Sequence, residues 1–209
     1  MSNKVTIINY NTGNIYNIAR AIVYAGGDPI ITDDPAIILR SSRVILPGVG
    51  AFKYCMDQLR KKHLVPVLME FLEKRRPLLG ICVGMQMLLE GSTEFELTPG
   101  LDLISGHVDH IKAEGPQDFK TPVFGWYKIK ATLSSETFIN LEKYNEKYFY
   151  FVHSYRAFLK NKQHTFANYY VGEYEIPAVI GKDNIFGSQF HPEKSGKIGI
   201  ELITDFLKS

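Results

Sequence analysis

Over its first ninety or so residues the chain alternates short β-branched runs with stretches of helical apolar spacing, and few folds accommodate that order. Val5-Thr6-Ile7-Ile8 reads as a buried strand that ends in the polar turn Asn9-Tyr10-Asn11-Thr12-Gly13. Ile15, Ile18, Ala19 and Ile22 then recur at helical spacing up to Ala25, and Gly26-Gly27 closes that helix. Pro29-Ile30-Ile31 and Arg43-Val44-Ile45-Leu46 supply two more strands. Helices are expected over 52–61 and 66–74. Pro77-Leu78-Leu79-Gly80-Ile81 is a fourth strand, feeding a helix that starts near Gly84. Successive strands joined through helices lie parallel and are covered on both faces, so an α/β fold with a mostly parallel central sheet flanked by helices is predicted.

Beyond Gly91 the texture changes. Shorter strand-like runs at 104–108, 126–130, 148–152, 165–170, 178–181 and 185–189 are separated by turn residues, which predicts antiparallel additions in the second half. The sheet as a whole is therefore mixed. Ile198, Leu202, Ile203 and Phe206 mark one face of a closing amphipathic helix. No Pro/Gly/Ser linker divides the chain, so residues 1–209 are expected to form a single domain. With 45% hydrophobic and 22% charged residues, the chain can build a core. A net charge of +2 gives no electrostatic case for nucleic acid or an anionic membrane. There are two cysteines, Cys55 and Cys82, no signal-peptide pattern and no apolar stretch near the ~20 residues of a bilayer span. A reduced, cytoplasmic setting is the expectation.

Gly80-Ile81-Cys82-Val83-Gly84 has the form of a nucleophile elbow between strand and helix. Small neighbours let the chain turn sharply, and the sulfur comes to the N-terminus of the next helix, where partial positive charge favours thiolate. The Val83 N–H would point to where an oxyanion develops. The pentapeptide also suits a buried structural cysteine beside two packing glycines. Cys55, inside a helical run, reads as structural. A thiol nucleophile needs a base, and His191 in Gln189-Phe190-His191-Pro192-Glu193 follows a predicted strand, where α/β sheets place their sites. In an extended segment Glu193 projects to the same side as His191 and would fix its tautomer. Pro47-Gly48-Val49-Gly50 is a turn whose N–H groups suit either a second oxyanion donor or a plain strand–helix connection.

The wording of these segments, Gly80-Ile81-Cys82-Val83-Gly84-Met85-Gln86, Pro47-Gly48-Val49-Gly50-Ala51-Phe52, Tyr150-Phe151-Val152-His153-Ser154-Tyr155 and Gln189-Phe190-His191-Pro192-Glu193-Lys194-Ser195, resembles class I glutamine amidotransferases. The resemblance runs from Asn9-Tyr10 to the closing helix. It implies a flavodoxin-like architecture and a catalytic triad of Cys82, His191 and Glu193 that hydrolyses glutamine to glutamate and ammonia. It implies that Val83, Val49 and Gly50 hold the oxyanion, and that Gly50, Gln86, Glu94, Ser154 and Tyr155 bind glutamine. It implies too that the Gly48-Val49-Gly50 loop must rearrange before it works. No metal and no cofactor are implied.

Ammonia protonated in bulk water is no nucleophile, so a sheltered path to a second active site is a chemical requirement. The closest resemblance within the family is to subunits that feed a HisF-type (β/α)8-barrel cyclase, as one half of a heterodimer in histidine biosynthesis. There Trp126, Tyr150 and Lys194 match interface positions. One segment departs from that pattern. Pro122-Val123-Phe124-Gly125-Trp126-Tyr127 stands where such sequences commonly read Pro-His-Met-Gly-Trp-Asn. Three alternatives stay open: a paralogue that supplies ammonia to a synthase amidinating surface sugars, a non-catalytic interaction subunit, and a stand-alone cysteine hydrolase.

Overall fold

A computed structural model describes residues 3–114, 120–132 and 137–209. The elements run in chain order as β1 (Lys4–Ile8), α1 (Ile15–Tyr24), β2 (Asp28–Thr32), α2 (Pro35–Arg40), β3 (Val44–Leu46), α3 (Phe52–Lys61), α4 (Leu64–Glu73), β4 (Leu78–Ile81) and α5 (Val83–Gln86). There follow β5 (Leu89–Ser92), β6 (Thr98–Pro99), β7 (Ile104–His110), β8 (Val123–Ala131), β9 (Tyr148–His153) and β10 (Tyr155–Leu159). The last are β11 (Thr165–Val171), β12 (Tyr174–Lys182), β13 (Ile185–Ser188) and α6 (Gly196–Lys208).

The main sheet has nine strands in the order β2-β1-β3-β4-β13-β12-β11-β8-β9. Its first five strands are parallel, in the doubly wound 2-1-3-4-5 arrangement, and from β13 onward every pairing is antiparallel. A second sheet of order β10-β7-β5-β6 covers part of the flank. In the parallel half, Ile7, Ile45, Leu79 and Phe186 are all fully buried. Each such side chain contributes about 1.5–3 kcal/mol by leaving water. Helices α1 and α6 pack together with Ile18, Ile22, Leu202 and Phe206 inward, while α2 and α3 pack on α4.

Sequence spacing finds α1, α3, α4, α6 and all five parallel strands, with bounds differing by a residue or two. It groups 185–189 with the antiparallel additions, however, whereas β13 pairs parallel with β4 and antiparallel only with β12. It misses α2, although its signal is present: Asp34 caps the helix by accepting from the Ala36 N–H at 2.8 Å, with Pro35 in the first turn. It also misses β5, β6 and β10. The helix after Cys82 begins at Val83, and α5 is a single turn. Its dipole is therefore that of one turn, weaker at the sulfur than a long helix would supply. The described residues hold no helix long and apolar enough to cross a membrane.

Candidate active site

The site lies at the C-terminal ends of β3, β4 and β13. Strands β4 and β13 are adjacent and parallel, with Ile81 opposite Ser188, and the Cys82 N–H donates to the Ser188 carbonyl at 2.8 Å. The next residues of the two strands' connections are Cys82 on one side and the Gln189–His191 segment on the other. Cys82 sits at φ 54° and ψ −111°, a conformation costly for a residue with a side chain. The elbow is over-determined by close packing. A Cβ on Gly84 would lie 2.0 Å from the Leu46 carbonyl oxygen, and one on Gly48 would lie 2.3 Å from the Gly84 nitrogen. The β3 loop and the elbow thus touch backbone to backbone.

His191 is held from several sides. Its N–H donates to the Tyr150 carbonyl at 2.9 Å, and its carbonyl accepts from the Ser195 hydroxyl at 2.6 Å. The preceding Phe190 is fully buried and stacks on Phe149 with centroids 4.1 Å apart. The ring's Nδ1 meets Glu193 Oε1 at 2.6 Å, with both side chains almost wholly excluded from solvent. The route differs from the expected extended one: Pro192–Lys194 forms a 3-10 turn, and the carboxylate comes behind the ring by that turn. Asn14 Nδ2, from the end of the β1–α1 turn, donates to the same Oε1 at 2.5 Å. Burial alone would lower the His191 pKa. Hydrogen bonds to Cys82 and Glu193, and their charges, outweigh burial and push it up to about 10. The surroundings thus favour the protonated ring.

A cavity of about 370 Å³ opens on Cys82 and His191 and is lined further by Val49, Gly50, Val83, Gln86, Glu94, His153, Ser154, Tyr155 and Lys194. A larger cleft of about 640 Å³, lined by His107, Arg156, Lys160, Asn168 and Glu175 among others, lies elsewhere and contains neither cysteine. Chemistry, not size, singles out the smaller one. Glu94 Oε2 accepts from the Phe52 N–H at 2.7 Å, which ties the carboxylate to the start of α3. Gln86 uses its amide nitrogen inward, toward the Tyr155 carbonyl and Gln189 Oε1, both at 3.0 Å.

The expected oxyanion donors are arranged differently from a ready hole. The Val83 N–H donates to the Gly48 carbonyl at 3.3 Å, so the loop offers an acceptor where a donor would be needed. The loop is held in this orientation by Tyr10, whose hydroxyl donates to the Pro47 carbonyl, and by Cys55, whose thiol meets the Val49 carbonyl at 3.5 Å. Burial, opposed by its hydrogen bonds with Tyr10 and Val49, pushes Cys55 up to about 11, so it stays a thiol. Gly50 has φ +92°, a hinge-compatible conformation that glycine adopts at little cost.

Trp126, Tyr150 and Lys194 come together beside the cavity mouth. The two rings meet edge to face at 6.0 Å, and the Lys194 Nζ sits 6.0 Å from the Tyr150 ring centroid. Phe124, in the departing segment and 69% exposed, extends this apolar patch. Two residues at the site carry no expected role in the sequence: Asn14 behind Glu193, and Gln189, whose amide lies 3.8 Å from the Cys82 sulfur. Gln189's position next to the His-x-Glu run was the available signal.

Comparison with known proteins finds relatives over nearly the whole chain. The profile of class-I glutamine amidotransferases matches residues 6–209. The imidazole glycerol phosphate synthase subunit HisH of Listeria innocua is 41% identical over 202 residues, covering 97% of this chain and 94% of that protein. HisH of Bacillus anthracis is 41% identical over 204 residues, covering 97% and 93%. Among solved structures, PurLQS from Thermotoga maritima superposes with a TM-score of 0.73 at 18% identity, over 100% of this chain and 99% of that one. The glutaminase domain of Trypanosoma brucei CTPS gives 0.62 at 10% identity, over 98% and 91%. At those identities the two structures speak for the fold alone.

Proposed function

The chain belongs to the class-I glutamine amidotransferase family and is a glutamine amidotransferase; from that premise we propose that it is the glutaminase subunit of an imidazole glycerol phosphate synthase, using Cys82, His191 and Glu193. The observation that carries the reading is that Cys82 and His191 line one cavity at the ends of two adjacent parallel strands, with the Glu193 carboxylate behind the ring.

In this reading the Cys82 thiolate attacks the side-chain carbonyl carbon of glutamine, and the C=O electron pair moves to oxygen. Collapse of the tetrahedral intermediate expels the amide nitrogen, which leaves as ammonia with the proton His191 supplies. The γ-glutamyl thioester is then cleaved by a water that gives its proton to His191, releasing glutamate and the thiolate. Glu193 keeps Nδ1 protonated and the ring turned so that Nε2 serves the sulfur. Glu94 supplies an anion for the substrate's α-ammonium group. Gln86, with its nitrogen engaged inside, offers Oε1 to an N–H of glutamine, while Ser154, Tyr155 and Gly50 complete the pocket wall.

The oxyanion is stabilised once the Gly48–Val49 peptide turns, which breaks the 3.3 Å bond from Val83 and presents the N–H groups of Val49 and Val83. One long neutral hydrogen bond costs about 1 kcal/mol to open, within reach of a partner's binding energy. A HisF-type (β/α)8-barrel cyclase docked on the Trp126, Tyr150 and Lys194 patch would receive the ammonia in a heterodimer of histidine biosynthesis. The HisH relatives support this acceptor. Val123, Phe124 and Tyr127, which depart from the pattern of the cyclase-feeding subunits, motivate a second reading, an N-acetylated-sugar synthase as acceptor. The synthase that co-purifies from the native host separates the two.

The test of the first reading is Cys82→Ala. Glutamine hydrolysis should vanish, while the partner stays active with added ammonium salt. Loss of both activities would make Cys82 a structural residue.

A further inference from the structure

A run of buried hydrogen bonds behind the nucleophile fixes the orientation of every polar group in it. It begins at the Tyr155 carbonyl, which can only accept. His153 Nδ1 reaches that oxygen at 2.8 Å, and Gln86 Nε2 reaches it at 3.0 Å. The Gln86 side chain therefore has to present its NH2 group there, since the opposite rotamer would set oxygen against oxygen. The second hydrogen of that NH2 goes to Gln189 Oε1 at 3.0 Å. With its oxygen so occupied, Gln189 has to turn its own NH2 toward the Cys82 sulfur, 3.8 Å away. Flipping Gln189 would face two NH2 groups across the link, and flipping both amides would face two oxygens at Tyr155. Gln86 is 3% exposed and Gln189 is fully buried, so water does not offer alternative partners.

We propose that Gln189 is a hydrogen-bond donor to the Cys82 thiolate, aimed by Gln86 and ultimately by the backbone carbonyl of Tyr155. The inference rests on Cys82 being the nucleophile. It gives Gln86 a second task beside substrate binding, because the amide that faces glutamine is the one that orients Gln189. It also compensates for the single turn of α5, whose short dipole leaves more of the sulfur's charge to be met by side chains. An N–H donor holds a thiolate more strongly than a thiol, since a hydrogen bond to a charged acceptor outweighs one to a neutral acceptor.

The experiment follows iodoacetamide alkylation of Cys82 against pH in the full chain. Mass spectrometry of the Cys82 peptide keeps Cys55 out of the reading. In Gln189→Met the rate at pH 7 should fall about tenfold, as expected from losing one hydrogen bond to a charged group. Its rate–pH curve should move to higher pH and rejoin the wild-type rate in strong alkali, where every thiol is ionised. Gln189→Glu should be displaced further, because a carboxylate offers the sulfur acceptors and negative charge. Gln86→Met should fall between wild type and Gln189→Met, because Gln189 remains but is no longer aimed.

A Gln189→Met curve that coincides with wild type, or with that of Gln189→Glu, overturns the proposal. If Gln189→Met does not fold, Gln86→Met decides alone, and an unmoved curve there overturns it equally. Wild-type protein alkylated at Cys82 that still hydrolyses glutamine would instead defeat the nucleophile assignment.

Discussion

His153 should make the protein acid-sensitive by an amount that can be worked out. It is buried beside the cavity, donating Nδ1–H to the Tyr155 carbonyl and accepting from the Tyr169 hydroxyl on Nε2 at 2.8 Å. Burial, with smaller contributions from His191 and Arg156, lowers its pKa from 6.5 to about 4. The sign follows from linkage. Between these two values the unfolded chain binds a proton that the folded protein refuses, so stability falls as pH drops through that window. At about 1.4 kcal/mol per unit, the loss between pH 8 and pH 5 is about 2 kcal/mol from this one ring.

His153→Asn places an amide nitrogen near Nδ1, keeps the bond to Tyr155 and abolishes the titration. It leaves the Tyr169 hydroxyl without its acceptor, a cost of about 1–3 kcal/mol at every pH. Urea unfolding at pH 8 and pH 5 gives four free energies. The mutant should be the weaker protein at pH 8, and the gap should narrow by about 2 kcal/mol at pH 5. Other groups that titrate in this range are common to both proteins and cancel in the double difference. A gap of the same size at both pH values would refute the idea that His153 is kept neutral by burial.

The unpartnered second oxygen of Glu193 bears on its replacement by Gln. The amide oxygen can still accept from His191 and Asn14, with the amide nitrogen taking the idle position. Glu193→Gln thus loses charge but keeps the ring's orientation, and kcat should fall about 10- to 100-fold, the worth of one hydrogen bond to a charged group. His191→Ala removes the base and should cost about 10⁴-fold; equal losses would count against these roles. Glutaminase turnover should be low in the isolated subunit and rise when the partner's substrate site is filled, because the Val83–Gly48 bond has to open first. Full turnover without any partner would remove that coupling.

How much of this was readable beforehand differs between segments for physical reasons. Strands β1, β3, β4 and β13 are buried on both faces, so apart from Lys4 and Thr6 in β1 and Ser188 in β13 their sequences are apolar or glycine and stand out. Strand β10, Tyr155–Leu159, has only Ala157 fully buried, and its alternation is too shallow to see. The elbow could be located because sterics demand small residues on both sides of Cys82. The loop's present orientation could not, since it is held by contacts that only folding makes, such as the Tyr10 hydroxyl on the Pro47 carbonyl. Nor could the aim of Gln189, which depends on a carbonyl 34 positions away in the chain that meets it only after folding. The i, i+2 relation of His191 and Glu193 was visible, while the 3-10 turn that realises it was not.

The placement of β13 between β4 and β12 has a consequence for the order of events at birth. The Cys82 sulfur leaves the ribosome more than a hundred residues ahead of the His191 imidazole. If Cys82 and His191 act together as proposed, then until that late strand slots into the gap waiting beside β4 the thiol has no acid–base companion and the nascent chain cannot spend glutamine. Such long-range closure is slow by nature, which makes it the step where a half-made product exposes its unpaired sheet edges and most needs protection.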